Sequence, residues 1–296
     1  MHASRTPAAT VTVLALLLAT TACTAAPPTS GTGAAPAAGP PPAPSRQARD
    51  LRLPLDVYAL TDADTNTLDD AQDVLLRRCM KDQGMDWKTL PRISPRDLEP
   101  QNRRRYGAIE AAVARRYGYH PPPAPPALTR RDRAWDEREE LPAGVQRAAY
   151  GPSGDGGCLK EAMRRLGGGL PQPDAHTFNQ LTGTALDASQ RDPAVRAAMR
   201  KWSACMRRAG FDYPDALAAA GDRRWTRTAH ATPDERAVAG RDVACKDETQ
   251  LVQVWVAAET RIQQHQIRAH TPALRQAKAR KDRWLAAAHR VLETSG

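Results

Sequence analysis

Apolar side chains recur along much of this chain at steps of three and four residues, which is the period of an α-helix. Leu68, Ala71, Leu75 and Cys79 form the first clear stripe, and Gly84 follows where a helix-terminating glycine belongs. A glycine at that position ends a helix because it tolerates the left-handed conformation. The pattern predicts a helix that ends shortly before Gly84.

A second stripe opens at Asp192-Pro193, an N-cap residue followed by proline at the first helical position, and stops at Gly210. Thr232-Pro233-Asp234-Glu235 has the form of a capping box, and the apolar stripe after it predicts one long helix through Ile262. Pro272 restarts a last helix that runs to Glu293. No run alternates in the manner of a strand, so we predict an all-α fold. The second stripe consists of Val195, Met199, Trp202, Cys205, Met206 and Ala209.

The chain contains an internal repeat. Residues 79–87 read CMKDQGMDW and residues 205–213 read CMRRAGFDY, so seven of nine positions agree by residue class. Each copy closes a predicted helix, and its glycine is expected in the left-handed conformation, with the next segment folding back. Asp86 and Asp212 are predicted to cap a turn; a role as ligand-binding carboxylates is the alternative.

Four cysteines lie beyond Cys23, namely Cys79, Cys158, Cys205 and Cys245, and three pairings are possible. Each repeat is followed by one further cysteine that opens a polar helix. The repeat therefore selects Cys79–Cys158 and Cys205–Cys245. A zinc site of four thiolates is the alternative, but the chain has no CxxC pair, which such sites normally use.

The first 22 residues have the pattern of a secretory signal peptide. Arg5 precedes a nine-residue apolar run, VTVLALLLA, which is too short to span a bilayer, and small residues precede Cys23. We expect lipidation of Cys23 and attachment to the outer face of the plasma membrane. Thr20 departs from the leucine usual in such a lipobox, and ordinary cleavage after Ala22 or Ala26 is the alternative.

Composition then suggests the organisation of the mature chain. Residues 24–46 contain seven prolines and no large apolar side chain, so residues 23–50 are predicted to form a disordered Pro/Ala-rich tether. Two related helical units follow: residues 51–175 with Cys79–Cys158, and residues 176–296 with Cys205–Cys245 and a basic C-terminal helix.

The charge balance is basic, +10 for the whole chain. A solvated, arginine-rich helical surface with no specific partner accounts for this charge; if a partner exists, an exported protein would meet an anionic membrane or wall polymer rather than nucleic acid. Trp202 and Trp255 are expected in the core, whereas Trp225, beside Arg223-Arg224, is a candidate for contact with a sugar or a partner. The last helix is expected to pack on the body around Trp284; the alternative is that it lies on anionic lipid. Its cations are Arg275, Lys278, Arg280, Lys281, Arg283 and Arg290.

Recognisable catalytic motifs are missing from the sequence: it has no HExxH, no Gly-x-Ser-x-Gly and no phosphate loop. Glu137, Glu139 and Glu140 belong to a mixed-charge stretch that is typical of a solvated helix. We predict no catalytic residue, no cofactor and no metal site.

A calcium loop is the nearest approach to a metal motif. Asp62, Asp64 and Asn66 alternate as the ligands at the start of such a loop do. However, Thr67 stands where a glycine is needed and Asp73 where a glutamate is needed, so N-capping of the next helix is the preferred interpretation.

Three stretches resemble a family of uncharacterised secreted and lipid-anchored proteins of actinomycetes: WSACMRRAGFDYPDAL (202–217), TPDERAVAGRDVACKDETQLVQVWVAAET (232–260) and ARRYGYHPP (114–122). The resemblance extends over most of residues 55–268 and places Cys205 and Cys245 on the family's cysteine positions. It implies a role in the cell envelope or in efflux and assigns no activity.

These features favour a non-enzymatic, lipid-anchored envelope protein that binds a protein partner or an anionic envelope component. One alternative, implied by the resemblance alone, is an accessory lipoprotein of an ABC-type exporter. The other is a cell-wall hydrolase with an unfamiliar site, for which Asp86, Asp212 and Glu248 are the candidate carboxylates.

Overall fold

The computed structural model describes residues 39–171 and 175–295, and within these ranges it contains helices and no strand. The prediction of an all-α fold is confirmed. Short 3-10 turns lie at 54–58, 95–97 and 225–227. The helices are α1 Arg46–Asp50, α2 Asp62–Asp82, α3 Ala111–Tyr117, α4 Pro126–Glu139, α5 Ala143–Tyr150, α6 Gly157–Gly167, α7 His176–Gln190, α8 Pro193–Arg208, α9 Ala216–Ala220, α10 Pro233–Thr249, α11 Leu251–Ala269 and α12 Thr271–Glu293.

The two repeats end their helices with the same hydrogen bonds. In α2 the Met85 amide donates to the carbonyl of Met80 at 2.9 Å, and in α8 the Phe211 amide donates to that of Met206 at 3.0 Å. Both are the long bond of a Schellman motif, which brings an apolar residue back onto the last helical turn. The glycine that directly precedes the donor residue has a positive φ in each copy, 71° at Gly84 and 84° at Gly210.

Two disulfides join these helix ends to their partners. Cys79 of α2 is bonded to Cys158 of α6, with Cα atoms 5.6 Å apart, and Cys205 of α8 to Cys245 of α10, at 5.7 Å. Both predicted pairings are confirmed, and the zinc alternative is wrong because the thiols are consumed in the bonds.

The largest apolar core lies where α8, α10 and α11 pack, around Trp202 and Trp255, both fully buried. A second cluster joins α2, α6 and α12 around Trp284, which is 3% exposed. The last helix therefore packs its apolar face on the body rather than offering it to lipid. It does so on helices of the first predicted unit, so the division at residue 175 does not separate two packed bodies.

The ordered body begins before residue 51, where the tether was expected to end. Ser45 accepts a hydrogen bond from the Ala48 amide and caps α1, and Ala48 is fully buried. Residues 46–50 of the predicted tether are therefore helical, and this helix is held to the body because Ala48 packs in the main core. The signal peptide, Cys23 and the tether up to residue 38 lie outside the described residues.

The long helix predicted from Thr232 to Ile262 is interrupted at Gln250. This residue has φ 52°, the only positive φ of a non-glycine residue in the described ranges. Its left-handed conformation ends α10 and starts α11 in a new direction, against α7 and α8. Leu251 and Val252 are thereby buried at the start of α11.

The predicted helix starts are mostly confirmed. Asp192 accepts from the Ala194 amide at 2.8 Å, and Thr232 accepts from the Glu235 amide at 3.1 Å. The residues of the suspected calcium loop form the first turn of α2 instead, where Thr61 and Asp64 make a capping box. No cluster of His, Cys, Asp and Glu that could hold a metal occurs among the residues described. None of the described helices is both long enough and apolar enough to cross a membrane.

We expect the double variant Cys205→Ala/Cys245→Ala to lower the free energy of unfolding by about 4 kcal/mol, since the bond closes a loop of 40 residues. Cys79→Ala/Cys158→Ala should lose a similar amount, because its loop of 79 residues enters only as a logarithm. Urea denaturation measures both. A loss below about 1 kcal/mol in either variant would contradict the loop-closure account.

Candidate functional site

The carboxylates singled out from the sequence do not form a site. Asp86 and Asp212 are exposed, and Asp86 only accepts a hydrogen bond from the next amide, that of Trp87. Glu248 is half-exposed and paired with Arg208 at 2.6 Å. Solvated acids such as these lack the burial that tunes catalytic carboxylates. Glu137, Glu139 and Glu140 are likewise exposed, as the mixed-charge pattern indicates.

Trp225 is not available to a sugar or a partner. Its side chain is 4% exposed, its indole N–H donates to the carbonyl of Ala219 at 2.8 Å, and its ring stacks on Tyr119 with centroids 6.1 Å apart. The alternative of an exposed Trp225 is wrong, because the loop after α9 turns its ring into the main core. Trp202 and Trp255 lie in that core, as predicted.

Sequence reasoning did not identify the most unusual chemistry of the fold, which we call the polar core. Three carboxylates on α10 and α11, Glu235, Asp242 and Glu259, are fully buried. Buried carboxylates are stable only when charged or hydrogen-bonded partners surround them. The partners come from one stretch of chain, residues 105–120, and from Trp202, Lys246 and Gln263.

Glu259 is held by the start of that stretch. Arg105 Nε donates to its Oε1 at 2.9 Å, and the Tyr106 hydroxyl donates to its Oε2 at 2.8 Å. Burial and the adjacent Glu259 charge raise the pKa of Tyr106, so its hydroxyl remains a donor. Gln263 continues the network by accepting from the Leu55 amide at 2.9 Å.

Asp242 lies at the centre of the polar core. Lys246 Nζ is 2.9 Å from its Oδ2, the Trp202 indole N–H donates to Oδ1 at 3.0 Å, and the Tyr119 hydroxyl donates to Oδ2 at 3.3 Å. Burial raises the pKa of Asp242, and the Lys246 charge opposes that effect. Burial, followed by the Asp242 charge, raises the pKa of Tyr119, which keeps its proton.

Glu235 closes the network at the first turn of α10. Its Oε1 accepts from the Tyr119 amide at 2.7 Å and faces His120 Nδ1 at 2.8 Å. The carboxylate fits against Gly118, where an added Cβ would overlap it. Glu235 therefore does not reach back to Thr232, and the second half of the predicted capping box is wrong.

Residues from three separated stretches meet in this polar core. Tyr119 and His120 come from 114–122, Trp202 begins 202–217, and Glu235 and Asp242 belong to 232–260. Side chains up to 123 positions apart in the chain therefore contact one another here.

A cavity of about 170 Å³ lies beside the polar core. The residues that define it are Arg103, Arg104, Gly107, Glu110, Gly118 and Tyr119. Arg103 donates from Nε to Glu110 and from Nη1 to Glu99, and only 7% of it is exposed. Its Nη2 is buried and has no hydrogen-bond partner. This guanidinium nitrogen therefore keeps an unused hydrogen-bond donor next to the cavity-lining part of the residue.

Several hydrogen-bonding groups of the polar core are already engaged. Tyr106 and Tyr119 keep their protons, and Asp242 and Glu259 are each engaged by a cation and further donors. The open hydrogen-bonding capacity at the cavity is that of Arg103, with Arg104 half-exposed beside it. We call this the Arg103 cavity.

In comparisons with known proteins, no protein-family model, no curated protein and no solved structure matches this chain.

The His120 ring predicts how stability varies with pH. Both ring nitrogens face acceptors, Glu235 Oε1 at 2.8 Å and the Thr228 carbonyl at 3.0 Å, which favours the doubly protonated ring. Burial lowers the pKa of His120, but the two hydrogen bonds and the Glu235 charge outweigh it, and the pKa is raised from 6.5. This contribution is complete below about pH 6.5 and is lost as the pH rises through the folded-state pKa.

We therefore expect the free energy of unfolding to fall by of the order of 1 kcal/mol between pH 6 and pH 9, as for one charged hydrogen bond lost. His120→Gln should abolish this part of the pH dependence, whereas His230→Gln, at an exposed histidine on the neighbouring loop, should leave it intact. Urea titrations across the pH range measure the effect. Equal pH dependence in wild type and His120→Gln would refute it.

Lys246→Met should cost about 3–5 kcal/mol of unfolding free energy, because it leaves the Asp242 charge buried without its cation. Adding Asp242→Asn should recover part of the loss, since the buried charge disappears while the amide oxygen can still accept from Trp202. Lys278→Met is the matched control: its pair with Asp282 has the same four-residue spacing but is exposed, so about 0.5 kcal/mol or less is expected. Chemical denaturation gives all three values, and similar losses for Lys246→Met and Lys278→Met would contradict the argument.

Proposed function

We propose that this chain is an extracytoplasmic lipoprotein, anchored through Cys23 to the outer face of the plasma membrane, with a non-enzymatic binding role in the cell envelope. Its partner is an anionic envelope component, and the Arg103 cavity receives an acidic group of that component. The buried, unpartnered Nη2 of Arg103 is the observation that carries the assignment to this cavity.

The N-terminal sequence and the disulfides support the proposed extracytoplasmic location. Residues 1–22 have a short basic start, an apolar run and small residues before Cys23. Both pairs of cysteines beyond it are bonded, which is typical of proteins that fold in an oxidising compartment. The net charge of +10 adds attraction to anionic polymers and lipids.

The alternatives have less support. The carboxylates Asp86, Asp212 and Glu248, on which the hydrolase depended, are exposed or half-exposed. The exporter accessory role depends on the family resemblance alone, and no contact in the structure favours it. A binding role is therefore preferred.

The first experiment tests the proposed location and the lipid anchor at Cys23. Full-length protein should be recovered in the membrane fraction and incorporate labelled palmitate, and Cys23→Ala should lose the label and be released. Recovery of an uncleaved, unlabelled chain in the cytoplasm would overturn the proposal.

The second experiment tests the cavity. Cys23→Ala protein, freed from the lipid anchor, is applied to isolated cell walls at low salt, and retention is measured. Arg104→Gln should reduce retention severalfold, because Arg104 lies at the cavity, whereas Arg46→Gln, at an exposed arginine paired only with Asp50, should not. Equal retention of both variants would exclude the Arg103 cavity as the binding site.

A further inference from the structure

A second pocket lies between α2 and α4, and we call it the α4 pocket. Its volume is about 200 Å³, and it shares no residue with the Arg103 cavity. Leu76, Leu90 and Leu159 supply its apolar surface. Its other lining residues include Asp69, Gln72, Arg131, Asp132, Trp135 and Tyr150.

The pocket is framed by two ion pairs. Arg131, Trp135 and Arg138 are spaced by four and three residues, so they share one face of α4. Arg131 is 2.7 Å from Asp70, and Arg138 is 2.6 Å from Asp73. Both arginines are more than nine-tenths buried. These pairs hold α4 against α2 on either side of Trp135.

Trp135 is anomalous in this position. It lies between two buried residues on the face that α4 turns to the body, yet half of its side chain is exposed. The other exposed large apolar residues in the described ranges are aliphatic, Val57 and Leu217. The indole is exposed because the space beside it is the α4 pocket, which no side chain fills.

The polar groups of the pocket offer donors and acceptors together. Arg131 Nη1 is occupied by Asp70 and the Pro91 carbonyl, but Nη2 is buried and has no partner. Asp69 and Asp132 make no hydrogen bond or ion pair among the described residues. A purely anionic ligand would face these two carboxylates, and a purely cationic one would face Arg131. Hydroxyl groups satisfy both, because each is a donor and an acceptor.

The volume of the pocket and its exposed indole restrict the class of ligand further. The volume lies below the roughly 300–1,000 Å³ of sites for drug-sized molecules, so it accommodates a single ring. An indole face carries negative quadrupole charge and packs well against the weakly positive C–H face of a polyhydroxylated ring. Tyr150 adds a hydroxyl whose pKa burial raises, so it stays protonated.

We infer that the α4 pocket binds one sugar ring of a neutral saccharide, with the ring stacked on Trp135 and its hydroxyls bonded to Arg131, Asp69 and Asp132. This site is independent of the Arg103 cavity and of the lipid anchor. A saccharide unit at α4 and an acidic group at the Arg103 cavity are two separate contacts, and either can fail alone.

The test uses the full chain carrying Cys23→Ala and four soluble probes: chitotetraose, cellotetraose, maltotetraose and mannotetraose. Isothermal titration should detect millimolar or tighter binding of at least one probe, weakened at least tenfold by Trp135→Ala. Leu217→Ala, at an exposed apolar residue of α9, should bind as the parent does. Circular dichroism shows whether each variant is folded.

Asp132→Ala provides a second variant, since this carboxylate is exposed and makes no internal contact; it should weaken binding severalfold without changing thermal stability. Binding of no probe by the folded parent, or equal binding by Trp135→Ala, would overturn the inference. Binding of tetramethylammonium without any sugar would overturn it too, because the pocket would then be a cation site.

Discussion

The course of residues 102–120 depends on the free-energy cost of burying charged side chains on α10 and α11. Three carboxylates on α10 and α11 are removed from water, and each would be unstable in that environment without cations and donors around it. The helices supply only part of these partners, such as Lys246 and Trp202. The rest come from Arg105, Tyr119 and neighbouring residues, so this irregular stretch is held where it brings donors to all three acids. The Arg103 cavity exists because that stretch is fixed.

The disulfides constrain how pairs of helices pack, whereas the polar core constrains a segment with little regular structure. Each disulfide fixes the end of a repeat helix where the chain reverses through a Schellman turn, and so determines how α2 meets α6 and how α8 meets α10. The polar core then places a segment that has little regular structure. Removing a disulfide mainly enlarges the unfolded ensemble, whereas removing one partner of a buried ion pair leaves a charge without compensation in the folded state.

The sequence predicted what local patterns encode. The repeat carries its helix, its glycine and its cysteine within nine residues, and from these the cysteine pairing followed. The break at Gln250 has no such signal, because neither glycine nor proline marks it and both flanking stretches are strongly helical. Glu235 fitted a capping box, but its partners Tyr119 and His120 lie more than 110 positions away. The burial of Trp225 has no local signal either, since its ring stacks on Tyr119, more than 100 positions away.

The two cavities were beyond sequence reasoning altogether, because a cavity is a property of what fails to fill space between distant elements. Arg103 and Arg131 look like ordinary members of an arginine-rich surface until the structure shows each of them buried with one free nitrogen. Before that, the mixed-charge stretch around Trp135 indicated only a solvated helix.

The excess positive charge and the cavities would act at different ranges. A net charge of +10, spread over exposed helices, attracts any anionic surface and weakens within about 10 Å at 0.1 M salt, so it raises encounter rates without choosing a partner. Choice requires short-range donors and acceptors in fixed positions. Arg103 and Arg131, each of which lines a small cavity and has one buried nitrogen without a partner, are candidates for this role. In the function proposed above, the charge would bring the protein to anionic surfaces and these two sites would retain it.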